Sequence, residues 1–78
     1  MRHFASPSFW ELYQKLPAEI SALADKNFSL LKENQNHPSL KLKKVILFWS
    51  VRVGRKHRAL AIELEDGFLW FWIGTHAD

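Results

Sequence analysis

Apolar residues change their spacing once along this chain. In the first 33 positions they recur three and four apart, as Phe9, Leu12, Tyr13 and Leu16, then Ile20, Leu23, Ala24, Phe28 and Leu31. That spacing lines one side of an amphipathic helix. Pro17 between the two sets ends or kinks the first helix and opens the second. Ser6-Pro7-Ser8 brings a capping oxygen and a proline suited to a first turn, which predicts a short helix to about Leu16 and a second from Pro17 to near Glu33. Asn34-Gln35-Asn36-His37-Pro38-Ser39 is a run of turn formers. From Leu40 onward β-branched and aromatic residues crowd together, broken at Gly54 and at Asp66-Gly67, and predict strands at 40–45, 47–53, 57–64 and 68–74. The fold class is α+β, with two N-terminal helices packed on one face of an antiparallel sheet of about four strands.

Turn length then decides which side chains share a face. Gly54-Arg55-Lys56 reads as a three-residue loop, and that places Arg52 directly opposite Arg58. Two guanidinium groups side by side repel unless an anion lies between them. A two-residue turn would put them on opposite faces. Glu65-Asp66-Gly67 reads as a second three-residue loop with Gly67 in the left-handed conformation. The face beneath the helices then carries Leu47, Trp49, Val51, Val53, Ala59, Ala61, Leu69, Phe71 and Ile73. The other face carries Phe48, Ser50, Arg52, Arg58, Leu60, Ile62, Leu64, Trp70, Trp72 and, past the strand, His76. Cations gather at one end of that second face, and its apolar remainder has no helix to cover it, which marks it as a docking surface for another chain.

Composition and charge narrow the chemistry. A chain of 78 residues, 47% apolar and 14% aromatic, reads as one domain spanning 1–78. With no cysteine it has no disulfide framework, thiolate zinc site or cysteine nucleophile, and it suits a reducing compartment. No apolar run reaches the roughly 18 residues of a membrane span, and the first residues lack a signal-peptide core. The net charge of +3 is unevenly spread. Residues 1–40 balance; 41–58 hold Lys41, Lys43, Lys44, Arg52, Arg55, Lys56 and Arg58 without one carboxylate; 59–78 hold Glu63, Glu65, Asp66 and Asp78 without Lys or Arg. A block of like charge repels itself unless an anion lies nearby, either a partner, of which phosphate is the commonest, or the acidic tail neutralising a solvated face. No Asp, Glu and His spacing forms a metal site, no glycine-rich loop cradles a nucleotide, and Ser50 has no triad partners.

The order of two helices followed by strands, with Asn36-His37-Pro38-Ser39-Leu40, Trp49-Ser50-Val51-Arg52-Val53, Arg58-Ala59-Leu60 and Trp70-Phe71-Trp72-Ile73-Gly74-Thr75-His76, resembles toxins of the RelE/ParE superfamily from bacterial type II toxin–antitoxin modules. The resemblance covers almost the whole chain. It implies a curved sheet and a cytoplasmic toxin held in a hetero-oligomer by a cognate antitoxin. In the RelE branch it further implies cleavage of messenger RNA without metal or cofactor, often on the ribosome. Arg52 and Arg58 match the strand arginines that hold phosphate, and His76 falls where some nuclease members place a catalytic histidine. Lys41, Lys43 and Lys44 match the family's basic strand and, with Arg55 and Lys56, form the expected RNA-contacting set. Trp70, Trp72, Leu60 and Ile62 are the expected antitoxin-contacting set. The ParE branch implies a different outcome, inhibition of DNA gyrase with no catalytic residue. A third reading is an inactive homologue that only binds antitoxin, because the tyrosine many members carry past the histidine has no counterpart. The sole tyrosine, Tyr13, lies in the first helix.

Overall fold

The computed structural model describes residues 2–75. Its elements run β1 (Arg2–Ala5), α1 (Pro7–Gln14), α2 (Ala18–Glu33), a 3₁₀ turn at Pro38–Leu40, β2 (Lys43–Val45), β3 (Phe48–Val53), β4 (His57–Leu64) and β5 (Gly67–Thr75). The helices form where the apolar stripes predict them. Ser6 caps α1 by accepting the Phe9 N–H at 3.2 Å, with Pro7 in the first turn. The five strands make one sheet in the order β1-β5-β4-β3-β2. α1 lies over β5 and α2 over β3. Between helices and sheet sit Leu31, Leu40, Val51, Val53, Ala59, Ala61, Phe68, Trp70 and Ile73.

The sheet differs from expectation at its far edge. β1 is a fifth strand, parallel to β5, with Arg2 beside Gly67 and Ala5 beside Trp70, so the sheet is mixed rather than antiparallel throughout. Gly67 serves this pairing and not a left-handed turn. A Cβ there would collide with the Arg2 backbone, and Gly54 is the glycine with positive φ, at 69°. The β4–β5 loop is therefore only Glu65-Asp66, closed by Leu64 opposite Gly67.

That shorter loop slips the pairing by one residue, and a β-bulge then restores it. Leu60 faces Trp72, but Ala61 faces Trp70, leaving Phe71 as the extra residue. Below the bulge the faces invert relative to the prediction. Phe68 and Trp70 turn into the core, 3% and 5% exposed, while Leu69 and Phe71, expected inside, are only half-buried. The placement of Trp70 on the open face is thus corrected, and its indole Nε1 donates to His3 Nδ1 at 3.2 Å instead. Leu47, also expected inside, is exposed in the turn joining β2 to β3. Residues 40–42 are not strand, because Pro38–Leu40 coils and Lys41 takes a left-handed φ of 51°.

Candidate functional site

The β3–β4 hairpin keeps the predicted three-residue loop, with Val53 opposite His57 and Arg52 opposite Arg58. Both arginines stand half-buried on the face away from the helices. Lys43 pairs with Ser50, and strand alternation puts it on that same face. Lys41 arrives from the left-handed bend before β2. Together Lys41, Leu42, Lys43, Arg52 and Arg58 line an open depression of about 440 Å³. No carboxylate neutralises it: among the described residues the one ion pair joins Arg2 to Asp66 at 3.9 Å. Glu63, a conceivable partner for Arg52, accepts from Trp49 Nε1 at 2.9 Å. Four cations converging on one concavity raise the local potential and favour a polyanion.

Two buried polar side chains hold these arginines in place. Among the described residues the buried polar groups are Asn27 and Ser50. Ser50 Oγ accepts from Arg58 Nη1 at 3.1 Å, which fixes the guanidinium from the adjacent strand. Asn27 Nδ2, from α2, donates to the Arg52 carbonyl at 2.9 Å. The reason lies in the length of β2. A two-residue hairpin closed by Val45 and Phe48 directs the backbone groups of Phe48, Ser50 and, by alternation, Arg52 toward β2. Pairing stops at Lys43 opposite Ser50, so the Arg52 carbonyl faces beyond the strand's end. Asn27 takes the place of the missing strand and satisfies that carbonyl. Neither tether was foreseen, although Asn27 stands in the stripe of Leu23 and Leu31, four residues from each, where a polar residue calls for a buried partner.

The remaining expected site residues are distributed as follows. Arg55 and Lys56 lie exposed in the loop beside this end of the hairpin. Lys44 pairs with Trp49 and so alternates to the face opposite Lys43, away from the depression. His76 lies outside the described residues. Leu60, Ile62 and Trp72 are on the open face as predicted; Ile62 is 36% exposed. Phe48 and Phe71, 5.4 Å apart, join Ile62 in an apolar area at the other end of that face.

Elsewhere, an apolar cavity of about 320 Å³ opens between α1, α2 and β1, lined by Phe9, Trp10, Phe28 and Trp70 among others. It is more enclosed than the depression but offers phosphate no arginine or lysine. At its rim the Tyr13 hydroxyl donates to Asp25 Oδ1 at 2.6 Å, a bond that raises the phenol's pKa above its ordinary value and keeps it protonated. Tyr13 therefore ties α1 to α2 on the helix side and takes no part in the depression. His3 has its pKa lowered, first by burial and then by nearby positive charge including Lys32. The neutral ring accepts the Trp70 N–H. Among the described residues no cluster of His, Asp and Glu is arranged to hold a metal, and no helix is long and apolar enough to cross a membrane.

A YoeB/ParE toxin from Agrobacterium tumefaciens superimposes with a TM-score of 0.74 at 17% identity, over 99% of this chain and 100% of that one. The chain has the RelE/ParE fold. A RelB–RelE antitoxin–toxin complex from Methanococcus jannaschii matches with a TM-score of 0.71 at 16% identity, covering 92% of this chain and 88% of that one. The isolated RelE toxin of E. coli gives 0.71 at 10% identity, over 97% and 84%. No protein-family model and no curated protein matches the sequence. The RelE/ParE likeness therefore rests on shape, and the chemistry must be argued from this chain's own side chains.

Proposed function

We propose that this protein is the toxin of a type II toxin–antitoxin pair and that it cleaves RNA in the cytoplasm. The observation that carries this reading is the Arg52–Arg58 pair, side by side with Lys41 and Lys43 around a depression that no carboxylate of the described chain neutralises. A phosphodiester fits such a site, because guanidinium groups bind phosphate oxygens through paired N–H donors.

The reaction needs no group beyond side chains. The ribose 2′-oxygen attacks the adjacent phosphorus, forming the P–O2′ bond while the P–O5′ bond breaks. A base takes the 2′ proton and an acid supplies one to the departing 5′-oxygen, leaving a 2′,3′-cyclic phosphate and a 5′-hydroxyl. Arg52 and Arg58 stabilise the charge that builds on the equatorial oxygens. Lys41 and Lys43 stand close enough to contact the same or a neighbouring phosphate, and His76 is assigned proton transfer by its family position. Arg55 and Lys56 extend the backbone-binding surface, whereas Lys44, on the other face of the sheet, does not. The apolar end of the open face, with Leu60, Ile62 and Trp72, is assigned to the antitoxin, which is supported by the antitoxin–toxin complexes among the structural relatives.

The test is cleavage of labelled RNA and of messenger on translating ribosomes, with a gyrase supercoiling assay run in parallel. Arg52→Ala and Arg58→Ala variants that remain folded lose cleavage by at least about a hundredfold, the scale of removing one charge-stabilising donor. Cleavage unaffected by both substitutions removes the arginines from the site. Supercoiling inhibition without any RNA cleavage assigns the protein to the gyrase-directed branch.

A further inference from the structure

The turn between β2 and β3 carries more apolar exposure than any other segment of the described chain. Ile46 is 87% exposed and Leu47 74%, flanked by Val45 at 43% and Phe48 at 40%. Four consecutive apolar residues at a turn oppose the ordinary preference for polar, glycine-rich loops. The backbone supplies a second, independent sign. Ile46 has φ 57°, whereas Leu47 does not share the positive φ. Positive φ at the first central residue alone is the pattern of a II′ hairpin turn, a position that glycine ordinarily fills. A β-branched residue there is strained. This turn gives up both solvation and backbone ease to keep an aliphatic pair pointing outward.

The surroundings identify the occupant. Isoleucine and leucine offer RNA neither a stacking face nor a hydrogen-bond donor. A second copy of this chain, set edge to edge against β2, would bring Lys43 and Lys44 against their own equivalents. A lipid surface calls for cations on both limbs, yet β3 carries Phe48, Trp49, Ser50 and Val51 before its first cation, Arg52. The exposed apolar surface instead runs from the turn through Phe48 and Phe71 toward Ile62, with Lys43 of β2 along one side. That strip fits a protein segment whose apolar residues lie along it and whose carboxylates reach Lys43. We infer that the β2–β3 turn anchors an acidic, apolar segment of a partner protein. Resting on the toxin reading above, that partner is the antitoxin.

The experiment titrates the purified toxin with the antitoxin encoded beside it, comparing wild type with an Ile46→Gly/Leu47→Asn double variant. The double variant binds at least about tenfold more weakly, as loss of an apolar anchor implies. Its free-state Tm equals or exceeds the wild-type value, because glycine relieves the strained turn, whereas a merely structural role would lower it. Antitoxin-free RNA cleavage is unchanged, since the turn lies away from Arg52 and Arg58. Unaltered antitoxin affinity overturns the inference and leaves the toxin reading standing. Loss of RNA cleavage in the double variant, or turn-dependent binding of wild type to phosphatidylserine vesicles, also overturns it. Failure of the wild type to bind its antitoxin at all brings down the toxin reading itself.

Discussion

The two ends of the open sheet face are built by opposite means. At the cationic end, charge is concentrated and its geometry is tightly held: Ser50 accepts from Arg58, and Asn27 fastens the Arg52 backbone from the far side of the sheet. At the apolar end, area is concentrated and little fastens it. Phe48 leans on Phe71, and Ile46 and Leu47 stand nearly free on a strained turn. The proposed phosphate site would need its donors held to within a fraction of an ångström, and buried hydrogen bonds supply that. A docking strip needs only exposed apolar surface of the right outline, and it gains from a partner whatever it lacks alone.

Removing restraints one at a time makes this contrast measurable. The largest effect is expected from Gly67→Ala at the margin of the apolar end, where the new Cβ meets the Arg2 backbone and must displace β1. Urea unfolding should show a loss of at least about 3 kcal/mol, at the high end of single substitutions. Next comes Asn27→Leu, which keeps the helix stripe apolar but strands the Arg52 carbonyl. Stability should fall by about 1–3 kcal/mol, the cost of an unpaired buried acceptor, and binding of a short oligonucleotide should weaken with it. Equal stability with intact binding would show that the carbonyl has another partner.

Ser50→Ala is milder. It should cost at most about 1.5 kcal/mol while still weakening oligonucleotide affinity, since Arg58 loses its fixed position without losing its charge. The smallest effect is one of pH. His3 has a folded-state pKa below its ordinary 6.5, so its contribution to stability is complete above that value. As pH falls below 6.5 the unfolded chain takes up a proton that the folded chain resists, and stability declines until the folded-state pKa is passed. Tryptophan fluorescence followed through urea melts between pH 7.5 and pH 5 reads this decline, and His3→Phe should flatten it.

Most of this architecture could be read from spacing alone, and the misread parts share a physical cause. The helix stripes and the β3–β4 hairpin depend on local rules, periodicity and loop length, and the hairpin rule set Arg52 opposite Arg58. β1 has four residues and no period of its own, and its partner lies at the other end of the chain. Without β1 in view, Gly67 reads as a turn residue rather than as room for a passing backbone. From that follow the loop read one residue too long and the wrong side for Leu69 and Trp70. Asn27 was hidden for a related reason, since the group it satisfies is exposed only by the early end of a strand distant in sequence.

The parallel seating of Arg2–Ala5 against Gly67–Trp70 also orders events during synthesis. Arg2–Ala5 leaves the ribosome well before the segment that gives it its berth. Chains released short of Trp70 lack the indole that closes the core against His3, and they keep a sheet edge open. Any property requiring the completed sheet is therefore withheld from the nascent polypeptide until Gly67–Thr75 has emerged.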